Sequence, residues 1–195
     1  MNTLIFETTE HGDIPIDVYQ KLANDRILFL CNQITDNLAT DVIATLLLKD
    51  SEDSEKKITL FINSDGGDIR NALMIYDVMC MIQAPVETVC IGSAMDEAAI
   101  ILAGGEPGMR LATKNSVIAA SQLVHDWYSS YSNLTDAKKI LDQSMSDNKR
   151  MMEILSKACK KTIKQVMDDL ERRVFMNAKQ AAKYGLIDKV INTAK

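Results

Sequence analysis

Few side chains in this sequence have the chemistry to react or to bind a metal. There are two histidines, His11 and His125, and four cysteines, Cys31, Cys80, Cys90 and Cys159. No two cysteines form a C-x-x-C pair, and a metal site would need closer spacing and more histidines, so no metal is expected. The cysteines sit mostly in apolar runs (LFLCNQ, DVMCMI, ETVCIG), which predicts buried, reduced thiols acting as small hydrophobes. Acidic residues are more plentiful near the glycines: Asp65 and Asp68 flank the pair Gly66 and Gly67, and Asp96 and Glu97 stand side by side further on. A divalent cation needs a recognised loop spacing of such acids, which is missing, so solvated carboxylates are the expectation.

The elements that position these residues alternate. RILFLC at 26–31 is a short apolar run of the kind a buried strand gives. Thr35 and Asp36 can cap a helix whose Leu38, Val42, Ile43, Leu46 and Leu47 recur at helical spacing. The polar stretch 49–57 reads as a surface loop, and ITLFI at 58–62 as the next strand, ending in the Gly66-Gly67 turn into a helix over 69–81. VETVCI at 86–91 is a third strand and 94–103 a helix of small residues. This order predicts right-handed crossovers and a mainly parallel sheet, an α/β fold of repeated βαβ units.

After SVIA at 116–119 comes an aromatic, polar segment, 122–132, in which Trp127, Tyr128 and Tyr131 could form a patch or simply pack. A long helix follows over about 133–160, with Leu134, Ala137, Leu141, Met145, Met152, Ile154 and Leu155 as apolar contacts. Such an arm buries its apolar face only against another element, so oligomerisation is expected. Asn177 and Gln180 make a capping pair, Gly185 closes that short helix, and 187–191 returns as a last strand or tail.

Composition sets the class. The 195 residues fit one domain, 47% hydrophobic and 25% charged, which excludes disorder. A net charge of −5 without a basic run excludes nucleic acid as the expected partner. The longest uncharged run, 115–125, is too short to span a bilayer, so no membrane association is expected. The start, MNTLIFETTEHGD, lacks a basic region and a long apolar stretch, so the expected location is cytoplasmic. No cofactor is expected.

Several separate motifs occur in one order: INSDGG at 62–67, IYD at 75–77, CIG at 90–92, FMNA at 175–178 and YGLID at 184–188. Over about 17–191 they resemble the proteolytic subunit of the Clp protease (ClpP), an S14-type serine peptidase. The resemblance implies a crotonase-like α/β fold with a protruding handle helix. It also implies heptameric rings stacked into a tetradecamer and docking of an AAA+ unfoldase. In its terms 1–20 is an axial segment, 20–121 and 161–195 the head, and 122–160 the handle.

Proteases of this family cut with a serine, a histidine and an aspartate, in that chain order. Carried onto this sequence, the three positions fall on Asp96 in GSAMDEA (92–98), Ser121 in VIAASQ (117–122) and Arg173 in DLERRV (169–174). All three are replaced. The oxyanion-hole amides of the family fall on Gly67 and Glu97, and Asp96 brings a negative charge where such a site needs donors. The glycine-rich substrate strand is here the bulky QLVHDWY at 122–128. The resemblance therefore implies an inactive subunit with a structural or regulatory role in a ring. One alternative is a serine-type endopeptidase that has moved its chemistry to Ser93 and His125, which would have to come within hydrogen-bond reach. Another is a crotonase-type acyl-CoA enzyme. Opposite charges at the two ends of the lost triad also predict an ion pair of Asp96 with Arg173 across Ser121; the alternative is an Arg173 that points to solvent.

Overall fold

The short apolar runs form strands and the periodic segments between them form covering helices in a computed structural model that describes residues 4–9, 12–122 and 133–191. A hairpin of β1 (Leu4–Thr9) and β2 (Gly12–Asp17) opens the chain. Then α1 (Val18–Asn24), β3 (Ile27–Cys31), α2 (Asp36–Glu52), β4 (Ile58–Ser64), α3 (Ile69–Met81), β5 (Val86–Met95) and α4 (Glu97–Ala103) alternate. β6 (Arg110–Thr113) and β7 (Val117–Ala120) precede the 26-residue α5 (Leu134–Cys159). The chain finishes with α6 (Ile163–Asp169), β8 (Val174–Asn177), α7 (Ala178–Tyr184) and β9 (Lys189–Ile191).

β3, β4, β5, β6 and β9 lie side by side in that order, each pair parallel. The mixed α/β fold with a mostly parallel sheet is the one expected. Burial alternates along β3 and β4, so Leu28, Leu30, Leu60 and Ile62 enter the core while Phe29 and Phe61 stack on the other face, 5.5 Å apart. α4 has no polar face; Ala98 through Ala103 are all buried, as its composition demands.

β5 forks. Thr88, Val89 and Cys90 pair with β6, whereas Ser93, Ala94 and Met95 pair with β7, which pairs antiparallel with β8. A bulge makes the fork: Ile62 faces Cys90, but two residues later Ser64 faces Ala94. Glycine at its centre leaves room for Asn63 Oδ1, which a Cβ on Gly92 would displace. That oxygen accepts the Ser93 N–H at 3.1 Å and pins the bulge.

Several expectations need correction. The third strand runs on to Met95 and the helix starts at Glu97 rather than 94, because the bulge re-aims the chain onto β7. The polar stretch 49–57 is not all loop: α2 continues to Glu52 with Lys49 buried. The turn after that helix is gathered by Arg26, whose guanidinium donates to the Lys49, Asp53, Lys56 and Lys57 carbonyls over 2.7–3.1 Å. Cys90 and Cys159 are buried as expected, but Cys31 is half-buried and Cys80 exposed, on the side of α3 turned from its buried Ala72, Ile75 and Met79. Along α5 only Met151, Met152, Leu155 and Cys159 of the apolar residues are buried, while Leu134, Leu141 and Met145 of the N-terminal half stay exposed. Among the described residues no helix is long and apolar enough to cross a membrane.

Candidate active site

Between β5 and α4 the chain turns on a single residue. Asp96 has φ 48 and ψ −107, a conformation that costs a non-glycine residue about 1–3 kcal/mol. Neighbouring structure holds it there: the Asp96 N–H donates to Ala119 O at 2.8 Å, and its carbonyl accepts the Ala99 N–H at 3.1 Å. A sharp, strained strand-to-helix turn of this kind presents its side chain at the end of a sheet, as hydrolases present a nucleophile.

A second piece of main chain faces that turn. Gly67 forms a parallel bridge with Ile34, in which the Ile34 N–H donates to Gly66 O (2.9 Å) and the Asp68 N–H to Ile34 O (3.1 Å). Because the Gly66 carbonyl and the Asp68 N–H are both spent on Ile34, the Gly67 N–H points the other way, toward the turn. The approach is so close that a Cβ on Gly67 would lie 2.6 Å from both Ile34 N and Ile34 O.

The register of β7 and β8 supplies the rest. Ala120 is opposite Val174, which sets Ser121 opposite Arg173 at the strand ends. Asp96 Oδ1 accepts from Ser121 Oγ at 2.8 Å, and Asp96 Oδ2 accepts from the Arg173 guanidinium. Asp96 and Ser121 are 8% and 5% exposed, so this contact is made away from water. The structure thus brings Asp96, Ser121 and Arg173 into one linked group, and the ion pair across Ser121 is present.

Comparison with known protein families matches residues 10–194 to the Clp protease. This chain belongs to the Clp protease family. The match takes in every element of this Clp protease chain from β2 to β9, the forked β5 and the long α5 included.

Sequence reasoning named Glu97 for its amide and missed its side chain. Glu97 Oε2 accepts the Gly67 N–H at 3.1 Å. Gly66 makes this possible, since a Cβ there would collide with the same oxygen. Burial pushes the Glu97 carboxyl above its ordinary value; the Gly67 and Glu97 amides and Arg173 oppose the rise, and the Asp96 charge adds to it. The sequence offered only an acid next to Asp96; its reach to the glycine pair depends on the conformation of the turn.

Ser93 is not part of the group that links Asp96, Ser121 and Arg173. Its Oγ lies 2.9 Å from Asp65 Oδ1, on a cleft of about 500 Å³ lined also by Asn32, Gln33, Asn63 and the two glycines. His125 lies outside the described residues, as do Trp127, Tyr128 and Tyr131. The four acids of the motifs have separate tasks. Asp65 meets Ser93, Asp68 caps α3 through the Arg70 and Asn71 N–H groups, Asp96 meets Arg173, and Glu97 meets Gly67. Among the described residues no three metal-ligating side chains cluster.

Proposed function

We propose that this chain is a ring-forming ClpP-like subunit that does not itself hydrolyse peptide bonds, and that it serves a structural or regulatory role beside active ClpP-like subunits. The observation that carries this is the carboxylate of Asp96 at the strained turn, bound to Ser121 on one oxygen and to Arg173 on the other. A nucleophile needs a base poised near the working pH. Ser121 donates instead to a carboxylate whose other oxygen is held by Arg173, at a position where the family's base, a histidine, is absent. The fixed charge also opposes the oxyanion that peptide hydrolysis would build there. Ring assembly finds support in the exposed Leu134, Leu141 and Met145 of α5, an apolar face with nothing of this chain upon it among the described residues. The setting is cytoplasmic, with unfolded substrate delivered by an AAA+ ATPase.

Native mass spectrometry of the complex from its own cells, combined with a serine-reactive fluorophosphonate, tests the proposal. Mixed rings are expected, with label on the second subunit only. Label on this chain overturns the inactive reading, and its position distinguishes Ser93 from Ser121. An unlabelled ring of this chain alone overturns the partner role.

A further inference from the structure

Replacing a catalytic serine is enough to stop a serine protease, so a second obstruction at the same site has its own meaning. The Glu97 carboxylate meets the Gly67 amide, which the bridge turns away from Ile34, while the Gly66 amide is taken by Ser64 Oγ. We infer that Glu97 is a tethered occupant of the oxyanion donor: its carboxylate sits on the Gly67 N–H where the oxygen of a substrate's tetrahedral intermediate would have to bind. This deepens the inactive reading and rests on its placement of Gly67 as that donor.

Three observations support it. The bridge with Ile34 fixes the direction of the Gly67 N–H, so the donor survives although the nucleophile does not. Glycine at 66 leaves room for the carboxylate and no room for a Cβ, so turn and side chain fit one another. Glu97 also lines a cleft of about 480 Å³ with Arg70 and Lys139, yet its bond is to the amide. An amide that donates to a carboxylate is engaged in the stronger class of hydrogen bond, and a neutral peptide carbonyl competes poorly for it. Restoring serine, histidine and aspartate at 96, 121 and 173 therefore leaves the hole closed. One such donor is worth about 10²–10³ in rate, which returns only when Glu97 is removed as well.

The contact is also sensitive to pH. Protonating Glu97 removes the charge that holds the amide, and burial moves that protonation above the ordinary carboxylate range. The charged groups around it are Asp96 on its own turn, Arg173 before β8, Asp68 and Arg70 at the start of α3, and Lys139 and Asp147 on α5.

Hydrogen exchange at the Gly67 amide, measured on the full chain in its assembled state, tests this without recourse to activity. Glu97→Ala should speed exchange at Gly67 by about ten- to a hundredfold, the fold-change equivalent of one charge-assisted hydrogen bond. Exchange at Leu60 and Ile62 in β4 should not change. Glu97→Gln keeps the shape and an acceptor oxygen but loses the charge, and should give a smaller rise. In the unaltered chain, protection of Gly67 should fall as pH drops through the Glu97 titration, a step absent from Glu97→Gln. Equal protection of Gly67 in all three proteins, or no pH step in the unaltered chain, overturns the inference and leaves the inactive reading intact. Fluorophosphonate labelling of the unaltered chain would do the reverse.

Discussion

Arg173→Ala isolates the tie that holds Asp96. The arginine side chain is 46% exposed and the aspartate side chain 11%, so the pair lies between two known limits. Breaking a buried pair costs about 3–5 kcal/mol, and losing an exposed one about 0–1 kcal/mol. Ser121 still donates to the carboxylate after the change, so Asp96 keeps one partner. A loss of about 1–2 kcal/mol follows, which for a domain of this size lowers Tm by about 2–8 °C. The cleaner number comes from a double-mutant cycle with Asp96→Asn, which keeps shape and acceptor oxygen but no charge. In the Asp96→Asn background, Arg173→Ala should cost little, giving a coupling of about 1 kcal/mol in urea titrations followed by circular dichroism. High salt should shrink that coupling, because the arginine reaches solvent. A coupling below about 0.3–0.5 kcal/mol, the range of independent sites, would refute the reasoning: Arg173 would then be a solvated cation that happens to lie near a carboxylate.

Two further outcomes are expected. The Arg110 guanidinium, helped by the Gly108 and Arg110 amides, holds the Asp188 carboxyl below its ordinary 3.8. A carboxyl lowered on folding contributes stability above its unfolded value that is lost as pH falls through the folded one, so urea midpoints should drop below about pH 4, less steeply in Asp188→Asn. Gly67→Ala forces a Cβ against Ile34 backbone atoms at 2.6 Å. It should cost about 1–3 kcal/mol by denaturant titration and break the bridge that aims the Gly67 N–H, visible as faster exchange at Asp68.

What was legible in the sequence was local. The helix over 69–81 has its cap in Asp68 and its apolar spacing in one stretch, and the structure returns the same bounds. The Asn177 and Gln180 capping box is likewise a three-residue affair. The fork of β5 is different in kind, because it depends on Gly92 meeting Asn63 on a neighbouring strand, and no periodicity carries that. β6, β8 and the hairpin of β1 and β2 went unread for the same reason: strands of four to six residues are defined by what they pair with. At the site, Asp96, Ser121 and Arg173 could be named because opposite charges fell at positions given by the resemblance. Glu97 was read for its amide, and the reach of its side chain back to Gly67 became visible only once the turn had its conformation.

Arg110 has a consequence for the order in which the chain can be made and folded. This cation is 7% exposed, and its partners are Asp188, the Gly185 carbonyl and the Ala158 carbonyl. The first of these is 78 residues further along the chain. At synthesis rates of about 5–20 residues per second, Arg110 is translated about 4–16 s before its carboxylate exists. During that interval β6 has its neighbour β5 but not its other neighbour β9, and an uncompensated guanidinium opposes burial of that edge. The parallel sheet is therefore completed only once β9 has been made. A ribosome stalled within α7 leaves a chain whose open sheet edge is available to chaperones and to other chains.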